Sequence, residues 1–385
     1  MKSSLAVSAL LTAVLVLSPA VSHAHSGPAP LSWKRDNLAA REGLEHRCAG
    51  TLAHRRARRA EEAWDAVLAR SEIDSKENLN LSGLRVSARR SSNKDSTALV
   101  TPEVTQGPYH VLGEIVRQNM TEGQAGVPLE ISIDFIDVTT CEPVKNYWID
   151  MWQCNSTGQY AHYGAITVGG GGDFPSGPDP ATTTLGPYSG VDDPAVADFL
   201  NTPTVDNDTF LRAIYPTDER GHLRAYTVFP GWYSGRAQHF HIKVYAEGYI
   251  AENGTFVANS SATHTGQFFF DADTLDAVRR TNPYNTNLIP WNESVANEND
   301  QWYPYQSATG YDAEMAITWL GHRLEDGLIG SITVAVNTSF ASPELSTQYS
   351  DFNVTKYLEE GMLPFASSDA AGPMDTLAAT FGRAT

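Results

Sequence analysis

The sequence predicts a mainly β protein in which an antiparallel β-sandwich follows an N-terminal helical segment. From Val127 onward, apolar residues alternate with polar ones, as they do in a strand that buries one face. Further short segments of this kind are separated by Gly, Pro and Asn turns, and few long helical patterns interrupt them. Many short strands with frequent turns are typical of a β-sandwich, whose long loops are expected to carry the functional site.

The first strand shows the alternation most clearly. Val127, Leu129, Ile131, Ile133 and Phe135 occupy every second position, so their side chains share one face. Further strands are predicted at Tyr147 to Trp152, Leu223 to Phe229, Gln238 to Tyr245, Gln267 to Phe270 and Ile332 to Val336. The sandwich is therefore assigned to residues 101–340.

The chain before the sandwich divides into a signal peptide, a helix and a linker. Residues 1–24 combine the charge of Lys2, an apolar run and the small residue Ala24, which is typical of a secretory signal peptide. The apolar run is too short to span a membrane. Residues 25–100 are assigned to a helical segment and a Ser-rich linker, with the helix running from Trp33 to about Arg70. The expected location is extracellular.

The predicted helix carries an apolar stripe and a basic run. Leu44, Cys48 and Leu52 lie on one face at four-residue spacing, and a second apolar cluster follows at Trp64 and Val67. The basic run HRRARR covers residues 54–59. We interpret it as a solvated helix face rather than a binding site for acidic partners.

Charge and glycosylation motifs limit the partners and the compartment. The net charge of −18 disfavours nucleic acid or an anionic membrane as a partner. A glycoprotein is predicted from the Asn-x-Ser/Thr motifs at Asn80, Asn119, Asn155, Asn207, Asn253, Asn259, Asn292, Asn337 and Asn353. The glycine run at residues 169–172 lacks the pattern of a phosphate loop and is interpreted as a lip near the pocket. Residues 341–385 are polar, rich in Ala and Gly, and predicted to form a C-terminal surface tail.

Three cysteines are too few for a disulfide scaffold. Cys141 and Cys154 flank a predicted strand and could bridge neighbouring strands. Cys48 would then be free or would pair between chains.

The segment PGWYSGRAQHFHI, residues 230–242, is the strongest indication of function. His239 and His241 alternate with Phe240 and Ile242, so on a strand both imidazoles point to the face opposite the core. Two neutral imidazoles on one face can bind a single metal ion. A His-x-His pair also occurs by chance on half-exposed strands, so the pair alone does not establish a metal site.

A second segment, DMWQCNSTGQYAHY, covers residues 150–163 and presents Tyr160 in a turn after a strand. Together, the two segments resemble the intradiol ring-cleavage dioxygenases, and in particular their secreted fungal members. The resemblance covers roughly Thr101 to Thr338, including the lead-in from Gly107 to Val144.

This resemblance implies a non-haem Fe(III) cofactor held by Tyr160, Tyr233, His239 and His241. It also implies that Tyr233 leaves the metal when substrate binds and accepts a proton, that Arg236 stabilises developing negative charge, and that Gln267 lines the pocket. The expected reaction opens a catechol-type ring between its hydroxyl-bearing carbons with both atoms of O2. A homodimer formed through the N-terminal helix is a further implication.

Some alternatives stay open at this stage. Tyr163, three residues after Tyr160, could be the ligand instead. Tyr233 and His239 are only six residues apart, closer than in the bacterial family members, which suggests a more open pocket and a larger or substituted catechol. A secreted β-sandwich that binds glycans or phenolic polymers without turnover is the alternative function. An enzyme-like protein that binds iron but has lost turnover is a third.

Overall fold

The computed structural model describes residues 31–71, 97–98, 106–164, 201–300, 302–306, 313–341, 344 and 346–350. The predicted signal peptide, most of the predicted linker and the glycine run at 169–172 lie outside the described residues. No helix within the described ranges is long and apolar enough to cross a membrane.

Two sheets packed face to face form the β-sandwich, which confirms the predicted fold class. Sheet 1 contains β1 (Thr97–Ala98), β2 (Pro128–Asp137), β5 (His222–Val228), β10 (Ala316–Trp319) and β11 (Leu328–Val336). Sheet 2 contains β3 (Trp148–Trp152), β4 (Arg212–Pro216), β6 (Phe240–Tyr245) and β9 (Ala262–Phe268). A small hairpin is formed by β7 (Gly248–Ile250) and β8 (Phe256–Ala258).

The strand order shows how the sequence alternation becomes two layers. Sheet 2 is antiparallel throughout, in the order β4-β3-β6-β9. Sheet 1 is mixed, because β11 pairs in parallel with both β1 and β2. The strands β2, β3, β5, β6, β9 and β11 are confirmed, with bounds within five residues of the predicted ones. The strands β1, β4, β7, β8 and β10 and the parallel pairing were not predicted.

One large apolar cluster fills the space between the sheets. Sheet 1 contributes the alternating residues of β2, such as Ile131 and Phe135, and sheet 2 contributes Met151, Ile242 and Val244 from β3 and β6. Alternation then forces the intervening residues of each strand onto the outer faces. The outer face of sheet 1 is covered by a helix, and the outer face of sheet 2 carries the candidate site.

The helix α1 (Leu31–Ser71) confirms the predicted N-terminal helix. Two short helices, α2 (Ala272–Arg279) and α3 (Tyr303–Gln306), lie in the long connection after β9. The stripe of Leu44, Cys48 and Leu52 is buried against Ile136 and Ala335 on the outer face of sheet 1. The predicted apolar face of α1 is therefore used within this chain.

The interpretation of the basic run as a solvated face is wrong for Arg55 and Arg59, which are 7% and 6% exposed. Arg55 forms an ion pair with Asp134 at 3.2 Å, and Arg58 and Arg59 contact the same carboxylate. Asp134 lies on β2 with a fully buried side chain and also accepts a hydrogen bond from the ring of His222. The basic run therefore fixes α1 to the sheet.

The cysteine pairing also differs from the expectation. Cys48 of α1 forms a disulfide with Cys141, and Cys154 is free and buried. A bridge between Cys141 and Cys154 is therefore wrong. The partner of Cys141 comes from a helix 93 residues away, so the disulfide attaches α1 to the sandwich.

Candidate metal centre

Two turns that carry candidate ligands pack directly against each other. Gly158, with φ of +90°, precedes Tyr160, and a Cβ atom at this position would lie 2.2 Å from the carbonyl oxygen of Trp232. Gly231, in the second turn, would bring a Cβ within 2.4 Å of the Asn155 carbonyl oxygen. Because both contacts are backbone contacts, only glycine permits this approach, which places Tyr160 beside Tyr233.

The register of sheet 2 aligns the remaining candidates. On the outer face, Trp152 of β3 pairs with Arg212 of β4 on one side and with His241 of β6 on the other. His241 in turn pairs with Gln267 of β9. His239 lies immediately before β6. Residues far apart in sequence therefore form one row across four strands, with His241 near its centre.

Four donor atoms converge at this point. The Nε2 atom of His239 lies 2.9 Å from Nε2 of His241, 3.4 Å from the Tyr160 hydroxyl and 3.3 Å from the Tyr233 hydroxyl. Ligand atoms 2.0 to 2.1 Å from a shared ion are about 2.9 Å apart at a right angle and about 3.4 Å apart at a tetrahedral angle. The observed separations fall in this interval.

Hydrogen bonds to His239 cannot account for this arrangement. The Nδ1 atom of His239 lies 2.6 Å from the Ala237 carbonyl oxygen, so Nδ1 carries the proton and Nε2 presents a lone pair. One lone pair cannot accept hydrogens from two hydroxyls and a second imidazole, and the hydroxyl distances are long for hydrogen bonds. A cation bound between the four atoms would satisfy all of them, so the residues fit a metal ion.

The pKa shifts of these four side chains also favour metal binding. Burial, reinforced by Arg236, lowers the pKa of His239 to about 3. Burial and the neighbouring His239 lower the pKa of His241 well below its usual value. Both rings are therefore neutral at neutral pH, as metal binding requires. Burial raises the pKa of Tyr233 to about 12 and also raises that of Tyr160. The phenols stay protonated unless a cation stabilises the phenolate.

The tyrosines differ in their access to solvent. Tyr160 and both histidines are buried, whereas Tyr233 is partly exposed. Tyr163, the alternative to Tyr160, instead lies beside Arg212, whose guanidinium carbon is 5.8 Å from the Tyr163 ring centre. Within the described ranges, no group of three or more His, Cys, Asp or Glu side chains could hold a metal ion. A metal site built on these histidines therefore relies on the phenol oxygens of Tyr160 and Tyr233.

Arg236 and Gln267 lie next to the donor atoms, as the sequence analysis expects. The Nη1 atom of Arg236 is 3.5 Å from His239 Nε2, and its Nη2 donates to the Gln267 side-chain oxygen at 2.5 Å. Asp300 accepts from Arg236 Nε at 2.8 Å and from the Ala237 amide at 2.9 Å. Burial opposes the charged guanidinium, but Asp300 outweighs it and raises the pKa of Arg236. A fixed positive charge therefore borders the site.

Sequence reasoning missed three residues that shape the centre. Asp300 lies in a polar stretch without a recognisable pattern, so no local signal marks it as buried. The Tyr109 ring stacks on Tyr160 at 4.6 Å between ring centres and meets Tyr233 edge-on at 5.9 Å. The Trp152 ring stacks on His241 at 4.7 Å. Alternation along β3 could have placed Trp152 on the site face, because Met151 faces the core.

One predicted glycosylation site does not fit this structure. Asn155 is 8% exposed, and its side-chain oxygen accepts from the amides of Thr157 and Gln159 at 3.1 and 3.0 Å. Its amide group donates to Gln124 at 3.2 Å. Asn155 therefore shapes the turn that presents Tyr160, and an attached glycan would disrupt that turn. The predicted sites at Asn119, Asn207, Asn253, Asn259 and Asn292 are exposed.

Comparisons with known proteins give structural similarity only. No protein-family model matches the chain, and no curated protein matches it. The chain is similar to the solved structure of an intradiol ring-cleavage dioxygenase from Tetranychus urticae. The identity is 25%, the match covers 66% of this chain and 99% of that chain, and the TM-score is 0.47.

Two bacterial structures are similar at lower identity. The dioxygenase domain of a dioxygenase carbohydrate-binding protein fusion from Streptomyces sp. SirexAA-E is 18% identical, with 61% of this chain and 96% of that chain covered and a TM-score of 0.33. Catechol 1,2-dioxygenase from Pseudomonas arvilla C-1 is 14% identical, with 83% and 80% covered and a TM-score of 0.35. These structural neighbours are intradiol ring-cleavage dioxygenases at low identity, and the secreted fungal branch stays a prediction.

Proposed function

We propose that this protein is a secreted, Fe(III)-dependent intradiol dioxygenase. It would open catechol-type rings between the two hydroxyl-bearing carbons and form muconate-type dicarboxylic acids with both atoms of O2. The observation that carries the proposal is the convergence of the Tyr160, Tyr233 and His241 donor atoms on His239 Nε2, at 2.9 to 3.4 Å. Two phenolates and two neutral imidazoles suit a hard, highly charged cation, because anionic oxygen offsets its charge.

When bound, ferric iron would make the chelated catechol reactive towards O2 by withdrawing electron density from its ring. Tyr160, His239 and His241 are buried and would hold the ion throughout. Tyr233 is partly exposed on the 230–236 turn. It is therefore the ligand best placed to give way to substrate, and its phenolate oxygen would accept one of the catechol protons as it leaves.

Arg236 would contribute electrostatic stabilisation. Asp300 and Gln267 hold its guanidinium beside the donor set before substrate arrives, so little reorganisation is needed. Negative charge that develops on the substrate oxygens during ring opening would be stabilised by this fixed cation. Gln267 would both orient Arg236 and border the bound ring.

The first test is a visible absorption spectrum of the purified protein with its iron content, before and after anaerobic addition of catechol. Tyrosinate bound to Fe(III) gives a charge-transfer band, and release of Tyr233 should shift it. Oxygen consumption and a dicarboxylic product would then establish turnover. A protein that stays colourless after ferric loading would contradict the proposal and favour the non-catalytic binding module.

Secretion is supported by the apolar segment in residues 1–24, by exposed glycosylation motifs and by the Cys48–Cys141 disulfide, which forms in oxidising compartments. N-terminal sequencing of the protein from a culture medium should find Met1 to Ala24 removed. The homodimer through α1 stays a prediction that light scattering can measure. Because the Leu44 to Leu52 stripe is buried on sheet 1, such a dimer would have to use another face of the helix.

A further inference from the structure

Behind the candidate centre, a short C-terminal segment packs on the outer face of sheet 2. We call Glu344 and residues 346–350 the strap. The sequence analysis places these residues in a surface tail. Leu112 donates its amide to the Gln348 carbonyl oxygen at 2.8 Å and accepts from the Ser350 amide at 2.7 Å, so the strap extends the structure by a short parallel bridge. Its backbone position is therefore fixed by hydrogen bonds.

Glu344 anchors the start of the strap to a buried lysine. Lys243, which is 1% exposed, donates to both oxygens of Glu344 at 2.7 and 2.9 Å, and the Tyr245 hydroxyl donates to it at 3.0 Å. Lys243 lies on β6, two positions after His241 and on the same face. The start of the strap is therefore anchored to the strand that carries His241.

Ser346 is connected to His241 through two aromatic rings, those of His110 and Trp152. Its hydroxyl lies 2.5 Å from Nδ1 of His110, and Nε2 of His110 lies 2.9 Å from Asp150. Gln106 donates to the Ser346 oxygen at 2.8 Å, so the serine hydrogen is directed to His110. This series of hydrogen bonds fixes the orientation of the His110 ring.

Trp152 connects His110 to the metal ligand. Its ring centre is 4.7 Å from that of His110 and 4.7 Å from that of His241, and the Trp152 and His241 planes differ by only 10°. The Trp152 indole N–H is buried and has no hydrogen-bond partner among the described residues. Leaving that donor unpaired costs stability, so the favourable contribution of Trp152 must come from the contacts of its ring face.

Ser350 contacts the turn that carries the candidate ligand Tyr160. Its hydroxyl lies 3.1 Å from Nε2 of His162, two residues after Tyr160. His162 has φ of +68°, a conformation that is unfavourable for a histidine and must be held by its surroundings. The Asp206 carbonyl oxygen lies 3.2 Å from the second ring nitrogen of His162. Ser350 and Asp206 therefore clamp the ring that follows Tyr160.

We propose that the strap positions the metal ligands from behind, acting on His241 through Ser346, His110 and Trp152, and on Tyr160 through Ser350 and His162. Ser346, Ser350 and Trp152 are positioning residues, because they act through other side chains. The inference rests on the proposed function. Groups that orient metal ligands commonly change metal affinity by about 10- to 100-fold when they are removed.

The test compares Ser346→Ala, Ser350→Ala and Trp152→Leu with Thr347→Ala in the full-length, iron-loaded protein. Thr347 belongs to the same strap, but it is exposed and contacts neither His110 nor His162. Its amide and hydroxyl donate to Asn201 at 2.7 and 2.9 Å, and its hydroxyl accepts from Gln348 at 3.3 Å. Iron release to an excess of chelator should be about 10-fold faster in the first three variants, and their charge-transfer bands should shift. Thr347→Ala should match the wild type in both.

A second measurement separates positioning from general destabilisation. Hydrogen exchange of the metal-free protein should show faster exchange at the 160–163 turn in Ser350→Ala than in Thr347→Ala, while β2 and β11 exchange alike in both. Trp152→Phe keeps an aromatic face and should restore most of the iron retention lost in Trp152→Leu.

Two failures are distinguishable. A wild-type protein that takes up no ferric iron overturns the proposed function, and this inference with it. A wild type that binds iron, with serine variants whose release rates, bands and turn exchange all match it, overturns the positioning role of the strap alone.

Discussion

The two outer faces of the sandwich both bury polar groups, but they do so in opposite ways. On sheet 1, the Asp134 carboxylate is matched by Arg55, Arg58 and Arg59 of α1 and by His222. On sheet 2, two phenols and two neutral imidazoles direct their donor atoms at one another. The Asp134 cluster balances its charges within the chain, whereas the four donor atoms on sheet 2 leave lone pairs that a cation would satisfy.

This difference separates a structural cluster from a binding site. A buried charge with matched partners contributes to the attachment of α1, and removing either partner leaves the other uncompensated. Converging neutral donors stabilise one another little, and a cation between them would be bound by all of them. Buried polar residues therefore indicate function when their partners in the fold do not satisfy them.

The largest expected effect is on the sheet 2 face. Tyr160→Phe removes a phenol oxygen from the donor set, so the iron content of the purified protein should fall from about one per chain to nearly none. Tyr163→Phe is the matched control, because Tyr163 lies three residues away beside Arg212. It should retain iron and the charge-transfer band. The opposite result would make Tyr163 the ligand.

The sheet 1 face should respond in stability rather than in metal content. Asp134→Asn leaves three arginines without their carboxylate and should reduce the free energy of unfolding by about 3 to 5 kcal/mol. Glu130→Gln is the control, since Glu130 lies on the same face of β2 and pairs with the more exposed Arg224 at 3.0 Å. Its cost should be about 0 to 1 kcal/mol in urea unfolding. Equal costs would contradict the structural role of the Asp134 cluster.

Arg236 is paired with Asp300, as in a structural cluster, and also borders the donor atoms of the candidate metal site. Replacing it tests which of these two roles it has. Arg236→Gln should keep iron and the absorption band but slow turnover about 100- to 1,000-fold, because the fixed charge is lost. Asp300 would still accept from the amides of Ala237, Trp302 and Tyr303, which limits the loss of stability. Unchanged turnover at saturating substrate would assign Arg236 a purely structural role.

The smallest effect is a dependence of stability on pH. Burial alone would raise the pKa of Asp134, but the hydrogen bond from His222 and the charge of Arg59 outweigh it and lower the pKa. A lowered acid pKa stabilises the fold above the unfolded value of 3.8, and this contribution disappears as pH falls towards the folded value. The stability gap between wild type and Asp134→Asn, measured by urea unfolding, should be constant above pH 5 and narrow below pH 4. A gap that stays constant to pH 2 would contradict this linkage.

The sequence predicted much of the fold and of the site because both leave local patterns. Alternation in β2 gives strand and face together, since the side-chain period of a strand is two residues. The same period placed His239 and His241 on one face. These signals need only neighbouring residues.

By itself, the sequence determined the helix, the strands β2, β3, β5, β6, β9 and β11, the faces of β2 and β6, and the residue types available for a metal site. Only the tertiary structure decided which distant residues meet: Cys48 with Cys141, the basic run with Asp134, and Arg236 with Asp300. It also placed the strap against the back of the site. These contacts depend on strand order and on the packing of layers, which no local period encodes, so the partner of a buried charge can be identified only once the sheets are assembled.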